Sequence, residues 1–558
     1  MKGYEQIPGV DFTETFSPVA GDTTIRTVLA TAMYLGWSCE AIDVEAAFLN
    51  ADLDEDVYVE IPQGYDSGGN KNSVYKLLKA VYGIVQAPRC WSKTFTKSLI
   101  AKGFETSKVD PCLFILRENG KNSPIIGLLV NYVDDGIVVG SKVAIKIIKS
   151  KIKEDFTISE LGPLKKHLGV NYTWKKDGIG SFWEVQMREF RNNLIKDYLE
   201  ATNGKKLKAS ATPGTPGRTL IKNKEHTIME TEYRKMVGKL LWTVKKESPD
   251  CANAVRKLSA HLSNPGKEQW DAVAQIVGFL ADNKERVLKM RTPTSMRVVG
   301  YVDSDWAANK ETRKSTTGFL VTIGGCLVSW QSKAQPSVTL SSTEAEYVAL
   351  SMCAQEIKFI MMLLDEIAAK FVEIPSILRE DNTGAIFTAK NQQIGARTKH
   401  IDVKHHHVKD MLEAGELELL FVKSEENFAD LMTKNVREGT HTLLSGPLMN
   451  GTMATAFGGC DEEDVKNLVA TGTNSGLDKS NPSSSFDDWT RVVRRNPKAV
   501  NKQSADKGRT VSWADIARSK AGLTFEGKSN GNKPKKKDIK SPWNGQQSFE
   551  KGRKHGRG

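Results

Sequence analysis

Two adjacent carboxylates, Asp134 and Asp135, interrupt the apolar run "IIGLLVNYVDDGIVVG" (residues 125–140). Each flank reads as a short buried strand, with Asp135-Gly136 as the turn between them. Crowding two acids out of bulk water is costly, because the charges repel and each loses hydration. On these residues alone two explanations compete. Asp-Gly is a favourable hairpin turn that Asp134 could cap, or the pair is held for a cation. A third acid favours the cation, and "AIDVEAAFLN" supplies Asp43 at the end of a β-like run. Neighbouring strands of one sheet could bring Asp43 beside Asp134 and Asp135. Carboxylate oxygens suit Mg²⁺, a hard ion usually held by one or two carboxylates and substrate phosphates. Two such ions can clamp the attacking and leaving oxygens of an in-line phosphoryl displacement.

A second set of acids lies further along. Asp303 ends the strand-like opening of "GYVDSDWA", Glu346 sits in the helical "LSSTEAEYVALSMCAQEIKFIMMLL", Asp381 follows the strand-like "SILRE", and Asp430 falls in "ENFADLMTK". Four acids arriving from separate elements could form another two-metal site, suited to hydrolysis. Glu344 competes with Glu346. Helix residues two apart face different sides, so only one should reach the site, and Glu346 is favoured. Helix capping would account for Asp381 or the "SSTE" acids singly, but not for all four together.

The elements that must position these acids follow from periodicity. Up to about Lys175, β-type runs ("CEAIDVEAAFL", "DVYVEIP") alternate with amphipathic helices ("RTVLATAMYLGW", "WSKTFTKSLIAKGF"). A Pro/Gly linker, "SATPGTPGR", precedes three helices punctuated by Ser-Pro-Asp and Asn-Pro-Gly. A third unit opens at "MRVVGYVDSDWA" and alternates strand and helix to about Asn435, after which the pattern dissolves.

At 558 residues the chain is too long for one core. No run approaches the ~20 apolar residues of a membrane span, and the N-terminus has no signal-peptide core. Seven scattered cysteines without a CxxC argue for reduced thiols in an intracellular setting, against a disulfide framework or a zinc finger. The net charge of +12 is uneven. Residues 491–558 carry 19 Lys/Arg against 5 Asp/Glu, which leaves 60 basic and 62 acidic residues in the first 490. That basic tail is poor in aliphatics and is expected to be disordered; nucleic-acid binding, nuclear import and a merely solvated end are equally open to it.

In order and spacing, "TFSPVAGDTTIRTVLATAMYLGWSCEAIDVEAAFLNADLDEDVYVEIPQGY", "LLKAVYGIVQAPRCW", "VDPCLFI", "NYVDDGIVVG" and "ELGPLKKHLGV" resemble the reverse transcriptase of copia-type LTR retrotransposons. "RKSTTGF", "VSWQSK" and "SSTEAEY" resemble the RNase H domain of the same elements. The resemblance covers about residues 2–435 and implies an α+β chain. It comprises a right-hand palm with partial fingers (1–188), a thumb- or connection-like helical segment (189–295), an RNase H-like α/β domain (296–436) and a disordered basic tail (437–558). It implies Asp43, Asp134 and Asp135 as polymerase metal ligands, and Asp303, Glu346, Asp381 and Asp430 as RNase H ligands, with two Mg²⁺ (or Mn²⁺) at each site.

Phe48 lies where the family places the aromatic that excludes a ribose 2′-hydroxyl. Tyr82, Gly83 and Pro88 match the stretch lining the nucleotide and template, and Leu168 and Gly169 the turn that grips the primer end. The family's finger strands begin further upstream, so the chain resembles an N-terminally truncated Pol polyprotein fragment, with Lys2 and Arg26 the nearest basic residues for a triphosphate. The implied partners are an RNA template, a DNA primer, RNA–DNA hybrid and deoxynucleoside triphosphates, without a membrane, in a cytoplasmic particle or the nucleus. The alternatives are a non-catalytic nucleic-acid-binding remnant and RNase H activity alone.

Two motifs imitate other chemistry. His400, His405, His406 and His407 look like a metal cluster, but three consecutive histidines on a helix splay apart. "DSG" at Asp66–Gly68 imitates an aspartic-protease triplet within what reads as a loop.

Overall fold

The computed structural model describes residues 1–62, 64, 74–204, 206–221, 230–391 and 407–455. The Asp66–Gly68 triplet, His400, His405 and His406, and the tail beyond 455 lie outside these described residues.

The first unit is built on an antiparallel six-stranded sheet of order β4-β5-β6-β7-β1-β8. Its strands are β1 (Ser38–Val44), β4 (Phe104–Thr106), β5 (Leu113–Arg117), β6 (Ile125–Tyr132), β7 (Asp135–Gly140) and β8 (Ile158–Pro163). Side-chain alternation sorts the two faces. Cys39, Ala41, Val130, Ile137 and Val139 pack with Ile25, Val28 and Leu29 of α1 (Asp22–Leu35). Ile42, Val44, Leu129 and Val138 pack with Trp91 and Phe95 of α2 (Ala87–Ala101) and Ile145 and Ile148 of α3 (Lys142–Lys153). β2 (Tyr58–Glu60) and β3 (Val74–Lys76) form a separate ribbon.

The turn between β6 and β7 is at Val133-Asp134, one step earlier than the Asp-Gly dipeptide suggests. Val133 takes the left-handed conformation (φ 60°), and Asp135 is already the first residue of β7. Gly136 serves packing rather than turning, since a Cβ there would lie 2.8 Å from Ile42 Cγ1.

A four-stranded sheet of order β12-β11-β10-β9 joins the first unit to the helical segment. β9 (Lys166–His167), β10 (Val170–Lys176) and β11 (Ser181–Gln186) precede position 188, whereas β12 (Leu288–Arg291) follows the helices. A boundary at 188/189 therefore cuts one sheet. Between β11 and β12, α4 (Arg188–Ala201), α5 (Glu230–Lys246), α6 (Ala252–Ser259) and α7 (Lys267–Asp282) enclose their own core around Tyr233, Leu240, Val255 and Phe279.

The C-terminal unit has a mixed sheet of order β15-β14-β13-β16-β17. β13 (Met296–Asp305), β14 (Thr316–Ile323) and β15 (Cys326–Ala334) are antiparallel, while β16 (Val372–Glu380) and β17 (Leu417–Phe421) join in parallel. The connecting helix α8 (Ser342–Ala368) corrects the expectation that no stretch is apolar enough for a membrane. Ser342–Phe371 passes that test by length and composition, with mean hydropathy 1.5, yet 67% of the window is buried inside the protein. α9 (Thr383–Lys390), α10 (His407–Glu413) and α11 (Asp430–Thr433) complete the unit.

The segment expected to lose order at 437 instead forms α12 (Glu438–Asn450). His441, Leu444, Ser445, Leu448 and Met449 give it one buried stripe, and Arg291 Nε donates to the Asn450 carbonyl at 2.7 Å.

Candidate active sites

The β1–β7 register places Asp43 directly opposite Asp135. The intervening turn is held by its carbonyls. Val133 O accepts from Trp91 Nε1 at 2.6 Å and Asn131 Nδ2 at 3.0 Å, and Asp134 O accepts from Val44 N at 2.9 Å. Burial, then the charge of Asp134, raises both Asp43 and Asp135 above the ordinary carboxylate range. Phe48 and Tyr82 flank this end of the sheet with ring centroids 4.5 Å apart. The Tyr82 phenol is raised by burial and then by Asp134 and Asp43, which puts it within the field of the acids. Leu168 and Gly169 form the β9–β10 turn, both with positive φ (48° and 78°). His167, just before that turn, is buried against the Asp135 backbone.

Four residues stand apart from this arrangement or serve structure within it. Arg26 is buried, donates to the Lys245 carbonyl at 2.5 Å and lies 3.8 Å over the Trp330 ring. Its guanidinium is thus committed to joining α1 to α5 and β15, which corrects its assignment to a triphosphate. Pro88 opens the first turn of α2, where a missing N–H costs nothing, and its carbonyl accepts from Ser17. Gly83 (φ 100°) is packed against Met1, whose carbonyl oxygen would lie 2.4 Å from a Cβ at that position. Lys2 is paired with Glu5 at 3.3 Å on the surface.

The second set of acids converges more tightly. Ligand atoms of Asp303, Asp381 and Asp430 lie within 4.8 Å of one another, as do those of Glu346, Glu380 and Asp381. These are the two such groups among the described residues; the carboxylates of Asp43, Asp134 and Asp135 are not drawn together as closely. Asp303 comes from the central strand β13, Glu346 from the first turns of α8, Asp381 from the end of β16 and Asp430 from the start of α11. Glu344 does not take part, because its Oε2 accepts from Leu340 N at 2.7 Å while its own N–H donates to Ser341 Oγ. Asp381 is not the cap of α9 either: Asn382 Oδ1 accepts from Ala385 N at 3.0 Å.

Glu380 and Lys434 are members that residue types alone did not reveal. Glu380 is fully buried, in phase with Leu378 on the inward side of β16. Lys434, one helical turn from Asp430, bridges Asp430 at 2.8 Å and Asp303 at 3.1 Å. His407 Nδ1 and Ser351 Oγ are 3.3 Å apart at the start of α10.

Residues 1–212 match the family described as reverse transcriptase (RNA-dependent DNA polymerase). The Pol polyprotein of transposon TNT 1-94 from Nicotiana tabacum is 36% identical over 444 residues, covering 78% of this chain and 32% of its own length. That of transposon RE1 from Arabidopsis thaliana is 33% identical over 435 residues, covering 78% and 29%. The chain carries a reverse transcriptase domain and is similar over 78% of its length to the retrovirus-related Pol polyproteins of these plant transposons. It spans about a third of the length of these curated relatives. Among solved structures, the foamy viral protease-reverse transcriptase in complex with double-stranded DNA aligns at 13% identity over 69% of this chain and 59% of its own, TM-score 0.18. RNase H1 from Halobacterium salinarum aligns at 14% identity over 25% and 95%, TM-score 0.17.

In the second cluster Glu346 and Asp303 titrate far above the ordinary carboxylate range. Burial, reinforced by Asp303 and Asp381, pushes Glu346 up to about 9. Asp303 is pushed up to about 7 by burial, against the pull of Lys434. Both exceed the unfolded values, so their tighter proton binding stabilises the fold fully below about pH 4 and is lost as pH rises through about 7 and then 9. In EDTA the melting temperature should fall between about pH 5 and 9, and Glu346→Gln should flatten the upper part of that fall. Differential scanning fluorimetry across this range checks it; parallel curves for the two proteins contradict the assignment.

Proposed function

We propose that the chain is an RNA-directed DNA polymerase joined to an RNase H, acting inside the cell on an RNA template, a DNA primer, deoxynucleoside triphosphates and the resulting hybrid. The observation that carries this reading is the placement of Asp43 opposite Asp135, with Asp134 in the turn and Phe48 and Tyr82 alongside. A separate acidic cluster in the C-terminal unit completes it.

The donor sets fit a divalent cation. Their oxygens are hard; in the second set Glu346 Oε2 and Glu380 Oε2 are buried without a hydrogen-bond partner, and burial, then repulsion by the neighbouring acids, raises both glutamates. Asp43, Asp134 and Asp135 would hold Mg²⁺ or Mn²⁺ for the polymerase; Asp303, Glu346, Asp381 and Asp430 would do so for the nuclease, with Glu380 behind them. The ions would supply Lewis-acid stabilisation of the in-line displacement, two per site.

The protein's own groups do the positioning. Trp91 and Asn131 hold the Val133 carbonyl, fixing where the Asp134 and Asp135 carboxylates project. Phe48, packed at a tilt against Tyr82, would present its ring where a sugar would lie, so a 2′-hydroxyl would clash there. The Leu168–Gly169 turn is coupled to the acids through His167 and would seat the primer end. In the nuclease, the hybrid's shape and its 2′-hydroxyls would distinguish the RNA strand.

One observation favours a second reading, RNase H activity alone. Arg26 is buried against Trp330 and donates to the Lys245 carbonyl, so its guanidinium is not offered to a triphosphate. Extension of oligo(dT) on poly(rA), run beside cleavage of a labelled hybrid in Mg²⁺, decides. Both activities are expected. Cleavage without extension leaves the second reading, and neither activity leaves a nucleic-acid-binding remnant.

A further inference from the structure

The linker "SATPGTPGR" (residues 210–218) is fastened to the rim of the second acidic site. Asn435, the residue after Lys434, accepts from Asn253 Nδ2 at 2.9 Å and donates to the Thr215 carbonyl at 3.4 Å. Gly214 makes the approach possible, since a Cβ there would lie 2.4 Å from Asn435 Nδ2. Linker, α6 and C-terminal unit thereby enclose a cleft of about 930 Å³ that reaches Asp430 and Lys434.

The charge in this cleft is one-sided. Arg218, Arg256, Lys257, Lys310, Arg313 and Arg437 line it against Asp305, Glu311 and Asp430. Arg256 and Lys257 belong to α6 of the helical segment, not to the unit that carries the acids. Both are largely withdrawn from water, and among the described residues Asp305 is the one carboxylate whose charge supports both. Arg256 Nη2 donates to Asn253 Oδ1 at 3.0 Å, while its Nε is buried without a hydrogen-bond partner. Two half-buried cations sharing one carboxylate leave a positive field unmet. An anion with several acceptor oxygens answers both deficits, and a phosphodiester supplies them with geometry suited to a guanidinium.

We propose that this cleft binds the sugar–phosphate backbone of the hybrid engaged at the acidic cluster, with Arg256 and Lys257 of the helical segment holding its phosphates. The helical segment is then a working wall of the nuclease groove rather than a spacer. The proposal rests on the RNase H reading given above, and its test separates the two.

Steady-state cleavage of a labelled RNA–DNA hybrid by the full chain, over a salt series, compares wild type with Lys257→Gln and Arg256→Gln/Lys257→Gln. The double variant should raise KM about tenfold while kcat falls much less. The dependence of log(kcat/KM) on log[salt] should become shallower by roughly 0.9 for each phosphate no longer neutralised. Lys257→Gln alone should give about half of each effect with an unchanged melting temperature, which guards against a fold defect at Arg256. Unchanged KM and salt slope in variants of a wild type that cleaves overturn the proposal and leave the RNase H reading standing. A raised KM with the wild-type salt slope overturns it too, as a structural effect. Absence of cleavage by the wild type overturns the RNase H reading, and the proposal with it.

Discussion

Asp134→Asn is expected to abolish primer extension, by on the order of 10³-fold, while leaving hybrid cleavage within about a factor of two. Asp134 sits at the tip of the β6–β7 turn, and the backbone there is pinned by Trp91, Asn131 and Val44 rather than by the side chain. An asparagine of the same shape should therefore keep the turn and remove only the charge. That charge is felt by both neighbours, since it raises Asp43 and Asp135. A cation held among three carboxylates stabilises a displacement by several kcal/mol, and ~4 kcal/mol corresponds to about 10³ in rate. Relief of repulsion should leave the melting temperature of the variant equal to or above that of wild type. The acidic cluster of the C-terminal unit lies on another sheet and shares none of these partners. Primer extension and hybrid cleavage on the same preparations check the prediction; extension retained by the variant removes the polymerase assignment.

Much of this site could be read from residue types because the relevant signals are local. Apolar alternation around Asp43 and Asp135 specifies strands whose odd positions share a face, and pairing β1 with β7 then brings the two acids opposite each other. Helical periodicity separated Glu346 from Glu344 in the same way. What stayed hidden depends on partners far away in the chain. Gly136 looks like a turn residue, but its lack of a Cβ is required by Ile42, which belongs to another strand. Arg26 looks like a free cation until Trp330, some 300 residues later, covers it. Glu380 stands in phase with buried Leu378, a visible pattern, but an acid at an inward position has meaning only once Glu346 is opposite it. The buried stripe of α12 was legible as His441, Leu444 and Leu448, and was masked by the polar composition that follows.

The sharpest contrast lies between two glutamates separated by one residue. Glu346→Gln should reduce hybrid cleavage by about 10³-fold or more and yet raise the melting temperature in EDTA above pH 7, because it removes a charge the fold buries at a cost. Glu344→Ala should instead lower stability alone. Its carboxylate accepts the Leu340 N–H and completes the start of α8, so its loss should cost about 1 kcal/mol of stability while cleavage stays near the wild-type rate. One substitution thus loses activity while gaining stability and the other loses stability while keeping activity, a pattern that a general defect in folding cannot imitate.

Divalent ions supply an independent readout. Mg²⁺ or Mn²⁺ should raise the wild-type melting temperature by answering the unpartnered oxygens of Glu346 and Glu380, and should raise that of Glu346→Gln much less. Glu344→Ala should respond to the ions as wild type does, since the acids that converge are untouched. A Glu346→Gln protein that cleaves hybrid normally, or that melts lower than wild type in EDTA at alkaline pH, would show that this carboxylate is part of the scaffold and that the cluster is not a catalytic centre.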